Sequence, residues 1–376
     1  MKTAIRRRST VEALMGIGAR LIALGFAQMA LPAVAFAAGF ATPFLPSQVS
    51  TIPVNGDTNP YGLAFVPSVF PPSSVLTPGR ILVSNFNNQT TQGLGSTIIS
   101  IDPRAGRTGL FFQGTSAIGF TNALAIARAG LVFAGSLPTS GGTPKPGPLL
   151  VLDQNGNVLT QLGSTALVDG PWGMALNDRG PIAQLFISNI FDGSGSFDGT
   201  ITRLDVVLSP GSITVLKATT IASGYASQPD SAGVVVGPAG LAYDSNRDIL
   251  YVAAEGDDAI YALNGAGRAT GSLGKGQMIY GDQTVLHGPL GLIIAPNGNL
   301  ITANADPAAF QPGSDASEII EITRIGKFVR EFSIDPNAGS AFAIAVSNSG
   351  IGNQLAYVDD FVSNCTIWNL PLSGLL

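Results

Sequence analysis

The chain has 376 residues, of which 45% are hydrophobic and only 11% charged, with 47 glycines and 25 prolines. Few charges among so many turn-forming residues fit short strands joined by tight turns and argue against long surface helices. A formal net charge of -5, with no Lys/Arg cluster beyond the N-terminus, speaks against nucleic acid as a partner, because phosphate binding needs a basic face.

The chain opens on a targeting signature. Arg6-Arg7-Arg8 and Arg20 precede an apolar run over residues 21–37 that closes on Ala35-Phe36-Ala37. Basic n-region, apolar h-region and an A-x-A site describe a signal peptide over residues 1–37, cleaved after Ala37. The run is nearly long enough to span a bilayer, so an uncleaved signal anchor is the alternative. Cleavage leaves a monomer exported to the periplasm or the medium, with no membrane span. Residues 38–47 then read as a linker and residues 48–376 as one repeat domain.

That domain repeats one phrase. It appears as Asn59-Pro60-Tyr61-Gly62-Leu63-Ala64, Gly170-Pro171-Trp172-Gly173-Met174-Ala175, Gly237-Pro238-Ala239-Gly240-Leu241-Ala242 and Gly288-Pro289-Leu290-Gly291-Leu292-Ile293. Weaker copies sit at Thr121-Asn122-Ala123 and Ala341-Phe342-Ala343. Six copies give a period of about 56 residues, and a repeat of that size must stack on its neighbours to bury its apolar faces. Each phrase is followed by a second strand, at 81–84, 131–134, 185–188, 249–253, 300–303 and 355–358. Third strands follow at 97–101, 149–152, 200–204, 259–263, 318–322 and 366–370, and fourth strands at 158–162, 213–216 and 328–332. Their β-branched runs end in Gly, Asn, Asp and Pro, as strands joined by tight turns do. The sixth copy runs out before a fourth strand, and residues 48–54 have the alternation to supply it. A ring closed by the two chain ends would leave no open edge.

These phrases resemble the NHL-repeat family of six-bladed β-propellers, where G-P-x-G-[LIV]-A opens each blade and L-Y-V-A-D forms its second strand. The match is fullest over Gly237 to Ala242 and Leu250 to Ala254. Leu250 to Gly256 is also similar to the seven-bladed YVTN type, but the copy count favours six. The resemblance implies an all-β fold: a six-bladed β-propeller of four-stranded antiparallel blades, its ring closed by an N-terminal strand.

In such a ring two sets of residues converge on one rim of the channel. One set is the residue before each opening glycine: Tyr61, Asn122, Trp172, Ala239, Leu290 and Phe342. The other aligns with the Asp of L-Y-V-A-D: Asn85, Gly135, Asn189, Ala254, Asn304 and Asp359, with Glu255, Asp257, Asp306 and Asp360 just beyond. Aromatic walls with a few amides and carboxylates suit a small ligand, which selects Tyr61, Asn85, Trp172, Asn189, Asn304, Phe342 and Asp359. The same Asn and Asp residues also suit backbone capping. Similarity to gluconolactonase (SMP-30) and strictosidine synthase propellers implies a Glu/Asn/Asp rim. For the lactonases it adds a divalent cation such as Ca²⁺, here on Asn189, Glu255, Asn304 and Asp359. The lactonase P-N-G phrase is replaced by Pro238-Ala239-Gly240.

Other chemistry is sparse. The loop 192–199 carries oxygens at alternate positions like a calcium loop, but Arg203 stands where the closing Glu belongs, so it reads as a Gly/Ser loop. His287, the single histidine, reads as a solvated loop residue or a general base. Cys365, the single cysteine, falls in a strand and reads as buried and inert. Long loops at 85–96, 136–148, 189–199 and 304–317 would crowd one face. The expected function is an exported binding scaffold for a small polar or carbohydrate-like ligand, or another exported protein, held on that long-loop rim. The alternative is a divalent-metal-dependent hydrolase, lactonase or esterase-like, or a lyase; a purely structural envelope role is the third reading.

Overall fold

A strand sends successive side chains to opposite faces, so a blade covered on both sides needs an unbroken apolar run. Ile81-Leu82-Val83 shows the result. Leu82 joins a cluster shared with blade two, while Ile81 and Val83 join one shared with blade six. The computed structural model describes residues 46–370 apart from 72, 74, 116, 231–232, 305–318, 335–339 and 348–352. The signal segment and most of the 304–317 loop therefore lie outside the described residues. No helix among the described residues is long and apolar enough to cross a membrane.

The described chain forms a six-bladed β-propeller of four-stranded antiparallel sheets. The innermost strands are Thr58–Phe65, Phe120–Ile126, Pro171–Asp178, Pro238–Asp244, Pro289–Ile294 and Ala341–Ser347. Each packs against the inner strands of both neighbouring blades, and Thr58–Phe65 packs against Ala341–Ser347 to complete the circle. Five apolar clusters fill the gaps between consecutive blades. A sixth fills the gap between blades six and one and runs on into the channel. Cys365 belongs to that last cluster and is fully buried, and burial pushes its thiol pKa up.

The opening glycines have a steric cause. A Cβ on Gly62 would meet the carbonyl oxygen of Thr121, on Gly173 that of Ala239, on Gly240 that of Leu290 and on Gly291 that of Phe342. Each of those carbonyls belongs to the inner strand of the next blade, so glycine is what lets adjacent inner strands approach. Hydroxyls reinforce the contact. Ser84 donates to Thr121 O at 3.1 Å, Thr121 to Pro171 O at 2.7 Å and Ser188 to Ala239 O at 2.8 Å.

Ring closure uses the N-terminal strand, though a shorter one than the alternation suggests. Ser47–Ser50 pairs antiparallel with Asn364–Leu370, and the chain then leaves the sheet. Thr51 turns it by donating both its N–H and its Oγ–H to Ser363 O, each at 2.8 Å. Two further fourth strands, Arg107–Gln113 and Gln277–Tyr280, complete blades one and four and were not among those expected from the sequence. Blade three is oversized, with outer strands Phe197–Ser209 and Ser212–Tyr225. Buried Arg203 ties it to blade four, donating to Ala266 O and Ala269 O at 2.9 and 3.0 Å.

Deleting residues 46–50 should lower Tm by more than about 5 °C and expose the edge of Asn364–Leu370, giving soluble oligomers. An unchanged melt and a monomeric profile on size exclusion would show that the ring closes without this strand.

Blade five supplies a pH-dependent contact. Burial tends to raise the Glu321 pKa, but hydrogen bonds from Asn299 and Asn297 and the Arg330 guanidinium outweigh it, holding the carboxyl below its ordinary value. A depressed folded value gives stability that is complete above the ordinary Glu range, about 4.3, and is lost as pH falls through the lower folded value. Melts between about pH 2 and pH 6 should show this loss in the wild type and a flatter acid limb in Glu321→Gln.

Candidate functional site

Every inner strand carries a β-bulge at the same place. The register slips between Pro60 and Gly62, Phe120 and Leu124, Pro171 and Gly173, Pro238 and Leu241, Pro289 and Leu292, and Ala341 and Ile344. A bulge re-aims the extra residue, here the residue before the opening glycine. The first ring therefore forms as the repeat implies, but as a plug. Tyr61, Trp172, Ala239, Leu290 and Phe342 are all buried in the central cluster, and Asn122 is half-buried. The Tyr61 ring lies 4.5 Å from Phe342, 5.3 Å from Trp172 and 4.8 Å from Phe86. Trp172 Nε1–H donates to the buried Glu255 carboxylate at 3.0 Å.

Outside blade two, the second ring pairs in register with the residue just before each first-ring position. Pro60, Pro171, Pro238, Pro289 and Ala341 pair with Asn85, Asn189, Ala254, Asn304 and Asp359. In blade two Phe120 pairs with Ser136, so that blade's position is Ser136 and not Gly135. The amides here act as clamps. Asn189 Oδ1 accepts the Asp169 N–H at 3.1 Å, and its Nδ2 donates to Leu167 O, Thr200 Oγ1 and Thr202 Oγ1. Asn304 repeats the pattern, accepting the His287 N–H at 3.0 Å and donating to Val285 O at 2.7 Å. Asp359 accepts the Val362 N–H at 3.3 Å.

These bonds decide how well a cation would fit Asn189, Glu255, Asn304 and Asp359. Both amide oxygens are taken by backbone N–H groups, and Glu255 accepts from an indole. No three His, Cys, Asp or Glu side chains converge on a metal position among the described residues.

Above the plug lies a roof that the sequence did not reveal. A hairpin of Gln228–Asp230 and Val234–Val236 stands between blades three and four, and Val234 and Val235 join the central cluster. Its second strand touches a smaller hairpin from blade two, Thr139–Ser140 with Thr143–Pro144, so it reaches past blade three. Val234 holds φ at 72°, a costly conformation for a β-branched residue.

The remaining candidates are resolved individually. His287 is buried rather than solvated, and its Nε2 has no hydrogen-bond partner among the described residues. Burial raises the carboxyl pKa values of Asp258, beside His287, and of Asp169. The 192–199 loop folds on itself, with Asp192 Oδ1 accepting from Ser194 N–H at 2.8 Å and Ser194 Oγ–H at 2.6 Å.

Neither a protein-family model nor a curated protein matches the sequence. Solved structures do match. A luciferin-regenerating enzyme is 12% identical with a TM-score of 0.55, over 88% of this chain and 97% of its own. The calcium-binding protein regucalcin from Agrobacterium tumefaciens is 12% identical with a TM-score of 0.53, over 90% and 98%. A gluconolactonase from Xanthomonas campestris is 13% identical with a TM-score of 0.51, over 87% and 90%. Likeness at this identity shows the fold alone.

Asn304→Ala would strand the His287 N–H and the Val285 carbonyl in a buried site, costing about 2–3 kcal/mol in chemical denaturation. A surface-like loss below about 0.5 kcal/mol would show that the amide is not a clamp.

Proposed function

We propose that the protein is an exported, monomeric binding scaffold of NHL type. It takes a small polar or carbohydrate-like ligand, or another exported protein, on the loop-bearing face of the ring. The carrying observation is the plug: Tyr61, Trp172, Ala239, Leu290 and Phe342 fill the channel mouth, and the second-ring amides of Asn189 and Asn304 are spent on backbone. Recognition then falls to the loops around the mouth. On that face the Thr51–Ser363 bond sets two segments side by side, and both expose apolar side chains, Ile52 and Val54 in one and Phe361 and Val362 in the other. Such groups amid polar loops are typical anchors for a partner.

The gluconolactonase and the calcium-binding regucalcin raise a second reading, hydrolysis of a lactone or ester with Ca²⁺ or another divalent cation near buried Glu255. Of the residues that would hold it, Asn189 and Asn304 already accept backbone N–H groups on their amide oxygens, and Glu255 accepts the Trp172 indole N–H.

Surface plasmon resonance on immobilised mature protein, against oligosaccharides and exported proteins of the same source, tests the scaffold reading. Saturable binding should weaken by about tenfold or more in Phe361→Ala or Val362→Ala, with Tm unchanged. Cation-dependent lactone or ester turnover that disappears in Glu255→Gln would overturn it.

A further inference from the structure

The amide clamp fails in blade one, and the failure leaves oxygens without donors. Asn85 occupies the second-ring position opposite Pro60, as Asn189 and Asn304 do opposite Pro171 and Pro289. Its Nδ2 donates to Thr51 O and Thr97 Oγ1, both at 3.2 Å. Its Oδ1 is buried with no hydrogen-bond partner among the described residues, although Asp169 and His287 supply one in blades three and five. Asn59, next to Pro60 and held at φ 57°, buries a second amide oxygen in the same condition. Buried polar atoms are rarely left this way.

A carboxylate belongs to the same network. Asp57 is 2% exposed, and its Oδ2 accepts from Ser96 N–H at 2.8 Å, Ser96 Oγ–H at 3.3 Å and Thr97 Oγ–H at 2.8 Å. Thr97 thus bridges Asp57 and Asn85. Among the described residues no Lys, Arg or His forms an ion pair with Asp57. Buried charges are paired with an opposite charge or coordinate a cation. A water molecule could donate to the two amide oxygens but would bring no opposite charge to the carboxylate.

We propose that a hard, oxygen-seeking cation binds here, held by the second carboxylate oxygen of Asp57 and the amide oxygens of Asn59 and Asn85, with water completing its shell. It fixes the 51–59 segment, which carries the chain from the ring-closing strand into blade one. Asp57 and Asn59 lie outside both rings, and Asn85 is the one second-ring residue it would take.

The test uses the full-length protein, stripped with a chelator and exchanged into a choline-salt buffer, then melted with CaCl2, MgCl2, NaCl or KCl. One of these should raise Tm saturably by about 5 °C, with one ion bound per chain by calorimetry. Asn59→Gly keeps the left-handed backbone while removing an oxygen, and should weaken that response by about tenfold or more. Asp57→Asn should abolish it; should that variant fail to fold, Asn59→Gly alone carries the test. No shift with any ion would mean that water suffices and would overturn the proposal. An equal response in wild type and Asn59→Gly would place the ion elsewhere and overturn it too.

Discussion

The structure depends on how closely adjacent inner strands approach. Where the carbonyls of Thr121, Ala239, Leu290 and Phe342 press against Gly62, Gly173, Gly240 and Gly291, a side chain would force neighbouring blades apart. Everything further out follows from that contact. It sets the gap that the interblade clusters fill, brings the hydroxyls of Ser84, Thr121 and Ser188 within reach of the next blade, and fixes the channel width. The proline that stands in four of the six phrases, Pro60, Pro171, Pro238 and Pro289, suits the start of a strand, where no ladder N–H is needed.

The bulge turns this scaffold into a choice. Six equivalent positions aim at one axis, and the residue types placed there decide whether the mouth is a polar cup or a sealed core. This chain places Tyr61, Trp172, Ala239, Leu290 and Phe342 there and roofs them with Val234 and Val235. The Glu255 carboxylate remains as a polar group within reach of the plug, against the Trp172 indole. A sealed axis shifts recognition outward, to loops whose composition can vary without disturbing the stack.

The fold was legible because its signals are local. The glycine phrase, the apolar runs and the Gly/Asn turns each report a contact that their own segment makes, so the second and third strands outside blade three lie within a few residues of their expected positions. The two rings were legible as positions but not as roles. Nothing in the letters of Asn189 or Asn304 says whether the amide oxygen meets a ligand or the N–H of a residue some 20 positions earlier. Counting from the glycine also slipped in blade two, where the bulge between Phe120 and Leu124 is wider than elsewhere and makes Ser136 the paired residue. The Val234-Val235-Val236 run reads as one more short strand; only the path of the chain shows that it covers the axis.

Thr51 and Ser363 meet across 312 positions of sequence, and the strand that closes the ring is the first of the domain to be made. It has no partner until Asn364–Leu370 exists, so five blades can stack in order while the sixth waits for the end of the chain. Contacts this distant in sequence form slowly. The cluster they complete holds Val49, Cys365 and Ile367 together with Tyr61, Trp172 and Phe342. The outer wall and the central seal therefore mature in one late event, and an unfinished chain has neither.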